Sequence, residues 1–247
     1  MTALPTRKLE AFRYADIDAL VSVWTSLAQP ERVEIAAQQR LQQIWLPSGE
    51  EIDIRRVEMV LEPGAAAHIF ALNHASRYGR IELDVTLHEG ADFAFHAANI
   101  GDGNSTLEVV TTVRHIEPNA TSRQTVRSVL GGKAVGSYLG KVAVARGADG
   151  TDSEQSVKAM LLDRGATANA KPELEIFADD VKCAHGATVG QLDEQARFYM
   201  AARGLTPEVA RRLLVQAFIG DAFVALDDEA ERERLMQVAL DKLDRHL

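Results

Sequence analysis

Cys183 and His185 stand two residues apart, and Cys183 is the chain's single cysteine. On an extended strand, residues i and i+2 point to the same face. A strand reaching from Val181 to His185 would therefore set a thiol and an imidazole side by side. Imidazole is a common metal ligand, and a thiolate suits iron and sulfur. An iron–sulfur cluster normally takes four protein ligands, mostly thiolates. One thiol and one imidazole can contribute to a shared cluster but cannot complete one. Against this stand two plainer readings. A lone cysteine is often a buried, inert small hydrophobe, and a reactive one needs exposure and a depressed pKa. A histidine beside a glycine such as Gly186 often only satisfies a local hydrogen bond.

The other chemistry-bearing groups do not converge. Asp179 and Asp180 are adjacent, and strand neighbours face opposite ways, so a turn role fits them better than a carboxylate pair. His68, His74, His88, His96 and His115 are scattered without the short ligand spacing of a zinc site. Gly131-Gly132-Lys133 lacks the four-residue insert and the Ser/Thr of a phosphate-binding loop. No Gly-x-Ser-x-Gly elbow is present.

The elements that must carry Cys183 and His185 show in the pattern. The 247 residues are 46% hydrophobic and 26% charged, enough for a sizeable core. The net charge of −9 argues against nucleic acid or an anionic membrane as partner. One cysteine allows no internal disulfide, so a reducing cytoplasm fits. The first residues hold no apolar signal-like run, and the apolar stretches are too short to span a bilayer.

Three zones are expected. Residues 1–49 read as a partly helical N-terminal segment, with a helix over 32–44 because Ala and Gln are good helix formers. Leu46-Pro-Ser-Gly49 is a turn and a boundary. Residues 50–190 read as strands. The stretch 81–87 alternates apolar and polar without a break, and Val57, Met59 and Leu61 alternate likewise. Gly64-Ala65, Gly90-Ala91, Gly147-Ala148, Gly165-Ala166 and Gly186-Ala187 recur as corners, with Asn119-Ala120 standing in once. Gly and Asn tolerate a left-handed backbone. The recurrence predicts a β-solenoid with coils of variable length. A sandwich or barrel is the alternative, but hairpin signals are confined to Asp102-Gly103 and Asp149-Gly150. Residues 191–247 read as helices. Gly204 ends the first, Thr206 and Pro207 start the second, and Val209, Leu213, Leu214, Ala217 and Phe218 form its apolar stripe. The last carries Met236, Leu240, Leu243 and Leu247 on one face, with residues 231–234 a solvated charge run.

Three stretches carry a family resemblance. They are the opening from Leu4 through Arg7, Glu10, Arg13 and Tyr14 to Ile17, the block 171–190, and Phe198-Tyr-Met-Ala-Ala-Arg-Gly204 followed by the helix from Glu208 to Phe218. Thr151-Asp152 with Gln155 fits a further Thr-Asp-x-x-Gln segment. Together they resemble the SufD branch of the SufB/SufD family, scaffold subunits of the SufB–SufC–SufD iron–sulfur assembly complex. The Cys183-Ala-His-Gly-Ala-Thr188 block has the SufD form; SufB typically carries a Glu-His-Glu-Ala-Thr type motif there. The chain is shorter than common members and lacks the usual Leu-rich run at 156–162.

That resemblance implies a mainly β protein, a right-handed parallel β-helix with an N-terminal helical segment and a C-terminal helical domain that docks an ATPase. It implies a non-enzymatic scaffold whose partner SufC hydrolyses ATP. His185, with Cys183 as second choice, would hold a transient iron–sulfur cluster at the interface with SufB. Phe198, Tyr199, Arg203, Gly204, Leu213, Leu214 and Phe218 would lie in the SufC docking region. A reduced flavin on the assembled complex and a homodimer of the isolated chain stay open. The rival from another class is a β-helical carbohydrate-active enzyme, which needs convergent carboxylates or calcium on one solenoid face.

Overall fold

The structure, a computed structural model, describes residues 4–27 and 29–243. Twelve strands form two parallel sheets of six. One sheet runs β1 (Glu31–Ile35), β3 (Ile52–Leu61), β5 (Tyr78–Leu87), β7 (Thr106–His115), β9 (Val135–Val144) and β11 (Thr167–Ile176). The facing sheet runs β2 (Arg40–Trp45), β4 (Ala66–Asn73), β6 (Asp92–Gly101), β8 (Thr121–Leu130), β10 (Asp152–Leu161) and β12 (Lys182–Gln191). Each odd–even pair is one rung, so the chain winds as the parallel β-solenoid the corner pattern predicts.

The corners explain why the coil closes. Gln38, Gly64, Gly90, Asn119 and Gly150 all have positive φ, one per rung. Each donates its N–H to a carbonyl of the next rung: Pro63, Glu89, Pro118, Asp149 and Asp180. A left-handed residue turns the strand, and the freed amide is satisfied by the neighbouring coil. Ala65, Ala91 and Ala120 follow Gly64, Gly90 and Asn119 inside the bend, fully buried, and Thr151 takes that place after Gly150. The interior between the sheets is apolar over the early rungs, with Met59, Ile69, Leu83, Phe93 and Phe95 packed in one cluster.

Several expectations are corrected. Residues 32–44 are not helical but supply β1 and β2 around a turn. Glu31 to Ile35 pairs in parallel with Val57 to Leu61, and Arg40 to Trp45 with Ala66 to Ala71. Sheet pairing outweighs the weak helix preference of Ala and Gln. The first rung thus lies ahead of the Gly49 turn. Gly186-Ala187 is no corner; it sits inside β12. The corner there is formed by residues 177–181, with Asp179 and Asp180 in it as expected.

Helices cover the outer faces. The N-terminal helix α1 (Ile17–Leu27) lays Ala19, Leu20 and Trp24, with Phe12 and Ala15, against the first sheet beside Tyr78. The three C-terminal helices are α2 (Glu194–Ala202), α3 (Pro207–Gly220) and α4 (Glu229–Leu243). Asp193 caps α2 through the amides of Gln195 and Ala196, Thr206 caps α3, and Gly204 has φ 86°. Val215, Ile219, Phe223, Leu235, Ala239 and Leu243 pack on Phe70, Leu72, Ala98, Ile100 and Val129 of the second sheet. The buried stripe of α3 is therefore Ala210, Val215 and Ile219. Val209 and Leu213, expected on that stripe, are exposed. The helix has two apolar faces, and the sheet takes only one. On α4, Leu240 and Leu243 are buried and Met236 is half-buried, while Leu247 lies outside the described residues. No helix among the described residues is long and apolar enough to cross a membrane.

Candidate functional site

The last rung ends the solenoid, so β11 and β12 are edge strands of their sheets. Strand residues alternate in the side to which they turn their backbone N–H and C=O. Lys182 donates its N–H to Thr151 beside β10. Residues 184, 186, 188 and 190 therefore also face β10. Cys183, His185, Ala187 and Val189 turn their N–H and C=O outward, with no strand beyond them. Their side chains continue the inward columns of the solenoid. Cys183 stands in register with the buried Ser153, and His185 with the buried Gln155. With no seventh rung above, His185 is exposed and Cys183 is half-buried against the interior cluster. The i, i+2 reading holds: thiol and imidazole share one face at an open end.

The two groups differ in readiness. Burial pushes the Cys183 thiol up, the Asp152 carboxylate adds to this, and a hydrogen bond with the Ser153 backbone only partly opposes it. The thiolate, which is the ligand form, is thereby disfavoured. His185 is exposed and is the more accessible donor.

The edges of the solenoid are not equivalent. β1 carries Glu31, Arg32 and Glu34, charges that discourage strand addition. β11 carries Lys171, Glu173 and Glu175, and Pro172. Thr167 donates to Ala134 beside β9, so by alternation Pro172 faces outward and removes a donor from that edge. From Cys183 to Gln191, β12 has no Asp, Glu, Lys, Arg or Pro. Ile176, Phe177 and Val189 are exposed around it, Phe177 to 58%.

The second expected surface lies on the C-terminal helices. Phe198 is 77% exposed and Tyr199 is also exposed, with the Arg203 guanidinium 5.2 Å from the Tyr199 ring centroid. Leu213 is exposed, Leu214 is half-buried, and Phe218 is half-buried against the second sheet. A groove of about 230 Å³ between α2 and α3 is lined by Glu194, Arg197, Phe198, Ala201, Pro207 and Ala210.

The remaining histidines do other things. His115 bonds the Ser122 hydroxyl at 2.9 Å, and His96 stacks on Phe70. Burial holds both near neutral forms, pushed down to about 4. Among the described residues, no three His, Cys, Asp or Glu side chains are grouped to hold a metal ion. At Gly131-Gly132-Lys133, the Gly132 amide is taken by the Asp163 carboxylate at 2.7 Å, so an acid occupies the place a phosphate would need.

One feature carries no motif signal: the solenoid interior turns polar toward its open end. Tyr138 donates to Gln124 at 3.1 Å, Thr111 donates to the same oxygen at 2.6 Å, and Gln155 donates to the Tyr138 hydroxyl at 3.0 Å. Gly140 makes room for this. A Cβ there would collide with the Tyr138 ring and hydroxyl. Gly140→Ala should displace Tyr138 from Gln124 and Gln155 and lower stability by about 1–3 kcal/mol. Urea unfolding measures it, and a wild-type midpoint would show the ring has space to move.

Comparison with known proteins follows from this geometry. The family model described as "SUF system FeS cluster assembly, SufBD core domain" matches residues 31–218, the whole solenoid through α2 and most of α3. The chain belongs to the SufBD family. SufBD proteins are iron–sulfur cluster assembly proteins. The chain is 33% identical to the iron–sulfur cluster assembly protein SufD of Escherichia coli over 133 residues, 54% of this chain and 31% of that one. It is 30% identical to a SufBD family protein of Synechocystis over 191 residues, 77% of this chain and 42% of that one. It is 40% identical to the chloroplastic protein ABCI7 of Arabidopsis thaliana over 116 residues, 46% of this chain and 24% of that one. The chain thus spans less than half the length of these curated relatives.

Proposed function

We propose that this SufBD protein is a SufD-type scaffold, not a catalyst, that offers His185 to a cluster built at its interface with a like-folded SufB subunit. The observation that carries this reading is the placement of His185. It is exposed on an uncharged stretch of strand edge whose outward backbone groups have no partner strand among the described residues. A partner strand can cover that edge through main-chain hydrogen bonds and bring the missing ligands with it. Cys183, half-buried and with its thiol pushed up, is the weaker donor.

The C-terminal helices serve the ATPase SufC in this reading. Phe198, Tyr199 and Leu213 are the exposed apolar side chains of this region, with Arg203, Gly204 and Leu214 on the same helices and their connection and Phe218 half-buried on the second sheet. ATP hydrolysis would lie on that partner. A reducing cytoplasm suits a scaffold whose single thiol is unpaired. In isolation the same β12 edge would admit a second copy of the chain.

The test is co-expression with SufB and SufC. His185→Ala should co-purify with both partners at wild-type yield, because the ring holds no part of the core. Iron and acid-labile sulfide recovered on the complex should fall by about tenfold or more, the scale of losing a metal-site contact. Unchanged reconstitution by that variant would remove His185 from the site.

A further inference from the structure

We propose that Gln155 is a positioning residue for His185: its amide oxygen accepts a hydrogen bond from one ring N–H and so leaves the other ring nitrogen unprotonated at the open end. The contact is what we infer, since Gln155 Oε1 has no hydrogen-bond partner in the structure; its purpose rests on the ligand role proposed for His185.

The hydrogen-bond chain beneath the ring fixes what Gln155 has left to give. The Tyr138 hydroxyl donates its proton to Gln124 Oε1. It must then accept from Gln155, whose Nε2 lies 3.0 Å away. This leaves Gln155 Oε1 as an acceptor, and it is buried without a hydrogen-bond partner. Gln155 is 1% exposed, so bulk water does not satisfy it. An unpaired buried acceptor costs about 1–3 kcal/mol and calls for a partner.

The register places His185 beside it. Gln155 and His185 are paired Cα to Cα on adjacent parallel strands. Paired residues stand about 4.8 Å apart and turn their side chains to the same face. Nothing else in β12 answers. Cys183 stands over Ser153, and Ala187 over Val157, which is apolar. Successive strands of this sheet carry Ser122-x-Gln124, Ser153-x-Gln155 and Cys183-x-His185 at matching positions. The polar column therefore ends on the imidazole.

The chemistry explains the arrangement. A neutral imidazole has one N–H and one lone pair, and only the lone pair binds a metal. A metal-binding histidine usually donates its other N–H to a fixed acceptor, which sets tautomer and ring orientation. Gln155 sits on a rigid strand, held through Tyr138 and Gln124, and can do this before any partner arrives.

The test uses the isolated full chain with ¹⁵N-labelled histidine at pH 8. Long-range proton–nitrogen spectra read each ring's tautomer, and His185→Ala identifies the His185 signals by their loss. Wild-type His185 should show one protonated and one unprotonated nitrogen. Gln155→Met should move both nitrogens toward a common averaged position. Gln155→Glu, which keeps an acceptor, should restore the separation. Gln155→Asn keeps the amide but shortens its reach, and should average like Met; it serves if the Met variant does not fold. Averaged nitrogens in the wild type, or an unchanged pattern in the folded Met or Asn variant, would overturn the proposal. No cluster and no partner enter this measurement, so its failure leaves the co-expression result untouched.

Discussion

Arg80→Leu should lower the unfolding free energy by about 3–5 kcal/mol, the range for removing one member of a buried ion pair. The Arg80 side chain is fully buried. Its Nη1 donates to Glu108 and its Nη2 to Glu82, each at 2.8 Å, and Nη2 also donates to the Ala11 carbonyl at 2.8 Å. Its guanidinium lies 4.6 Å from the Phe12 ring centroid. Glu108 is fully buried too, and Tyr78 donates a short hydrogen bond to it. Leucine would leave Glu108 charged or protonated in an apolar place and would release the N-terminal segment from the first sheet. Urea unfolding at pH 7 measures the change. A variant within about 1 kcal/mol of wild type would mean that water or a shifted side chain replaces the guanidinium.

The same cluster shapes the acid limb of stability. Burial pushes the Glu82 carboxyl up, but Arg80 and Arg56 together outweigh it and hold the group below its ordinary value. A depressed carboxylate contributes stability that is complete above the unfolded value, about 4.3, and is lost as pH falls through the folded one. Arg80→Leu removes the largest of those two attractions, so its stability should fall less steeply below that pH. His96 and His115 add a loss that begins earlier. Held down to about 4 when folded, they stay neutral while the unfolded chain takes up protons from about pH 6.5 downward.

How far a residue pattern reveals such features depends on the range of the contact. The corners are local events, so Gly64, Gly90 and Asn119 announce them, and Asn119 shows that the requirement is the left-handed backbone, not the glycine. Residues 32–44 mislead for the opposite reason. Their strands exist only because β3 and β4 pair with them, and local Ala and Gln preferences cannot register that. On α3, periodicity marks apolar positions but not which face meets the sheet, so Val209 and Leu213 are misplaced while Val215 and Ile219 go unnoticed. Arg80–Glu108 and Arg127–Asp221 join residues far apart in the chain and leave no local trace. The Cys183–His185 pair was legible because two-residue spacing on a strand is itself geometry. The place of Gln155 beside His185 was not, because it needed the register between β10 and β12.

That register also makes the proposed interface separable from the fold. Ala187→Pro should leave the monomer's stability within about 0.5 kcal/mol of wild type and weaken pairing with the proposed SufB partner by about 2–4 kcal/mol, roughly 30- to 1,000-fold. By alternation from Lys182, the Ala187 N–H points away from β10, so proline removes no bond of the solenoid. Proline is tolerated on a strand edge at such a position, and Pro172 already occupies one on β11. On β12 it would delete a donor in the middle of the outward row and set a ring where a partner strand must approach. Thr188→Pro is the matched control. Its N–H faces β10, so the substitution should destabilise the last rung itself, by about 3 kcal/mol if strand interiors behave like helix interiors. Affinity measured on the purified subunits, with thermal melts of each variant alone, separates the two effects. Wild-type affinity in a folded Ala187→Pro protein would mean that the partner does not pair along β12.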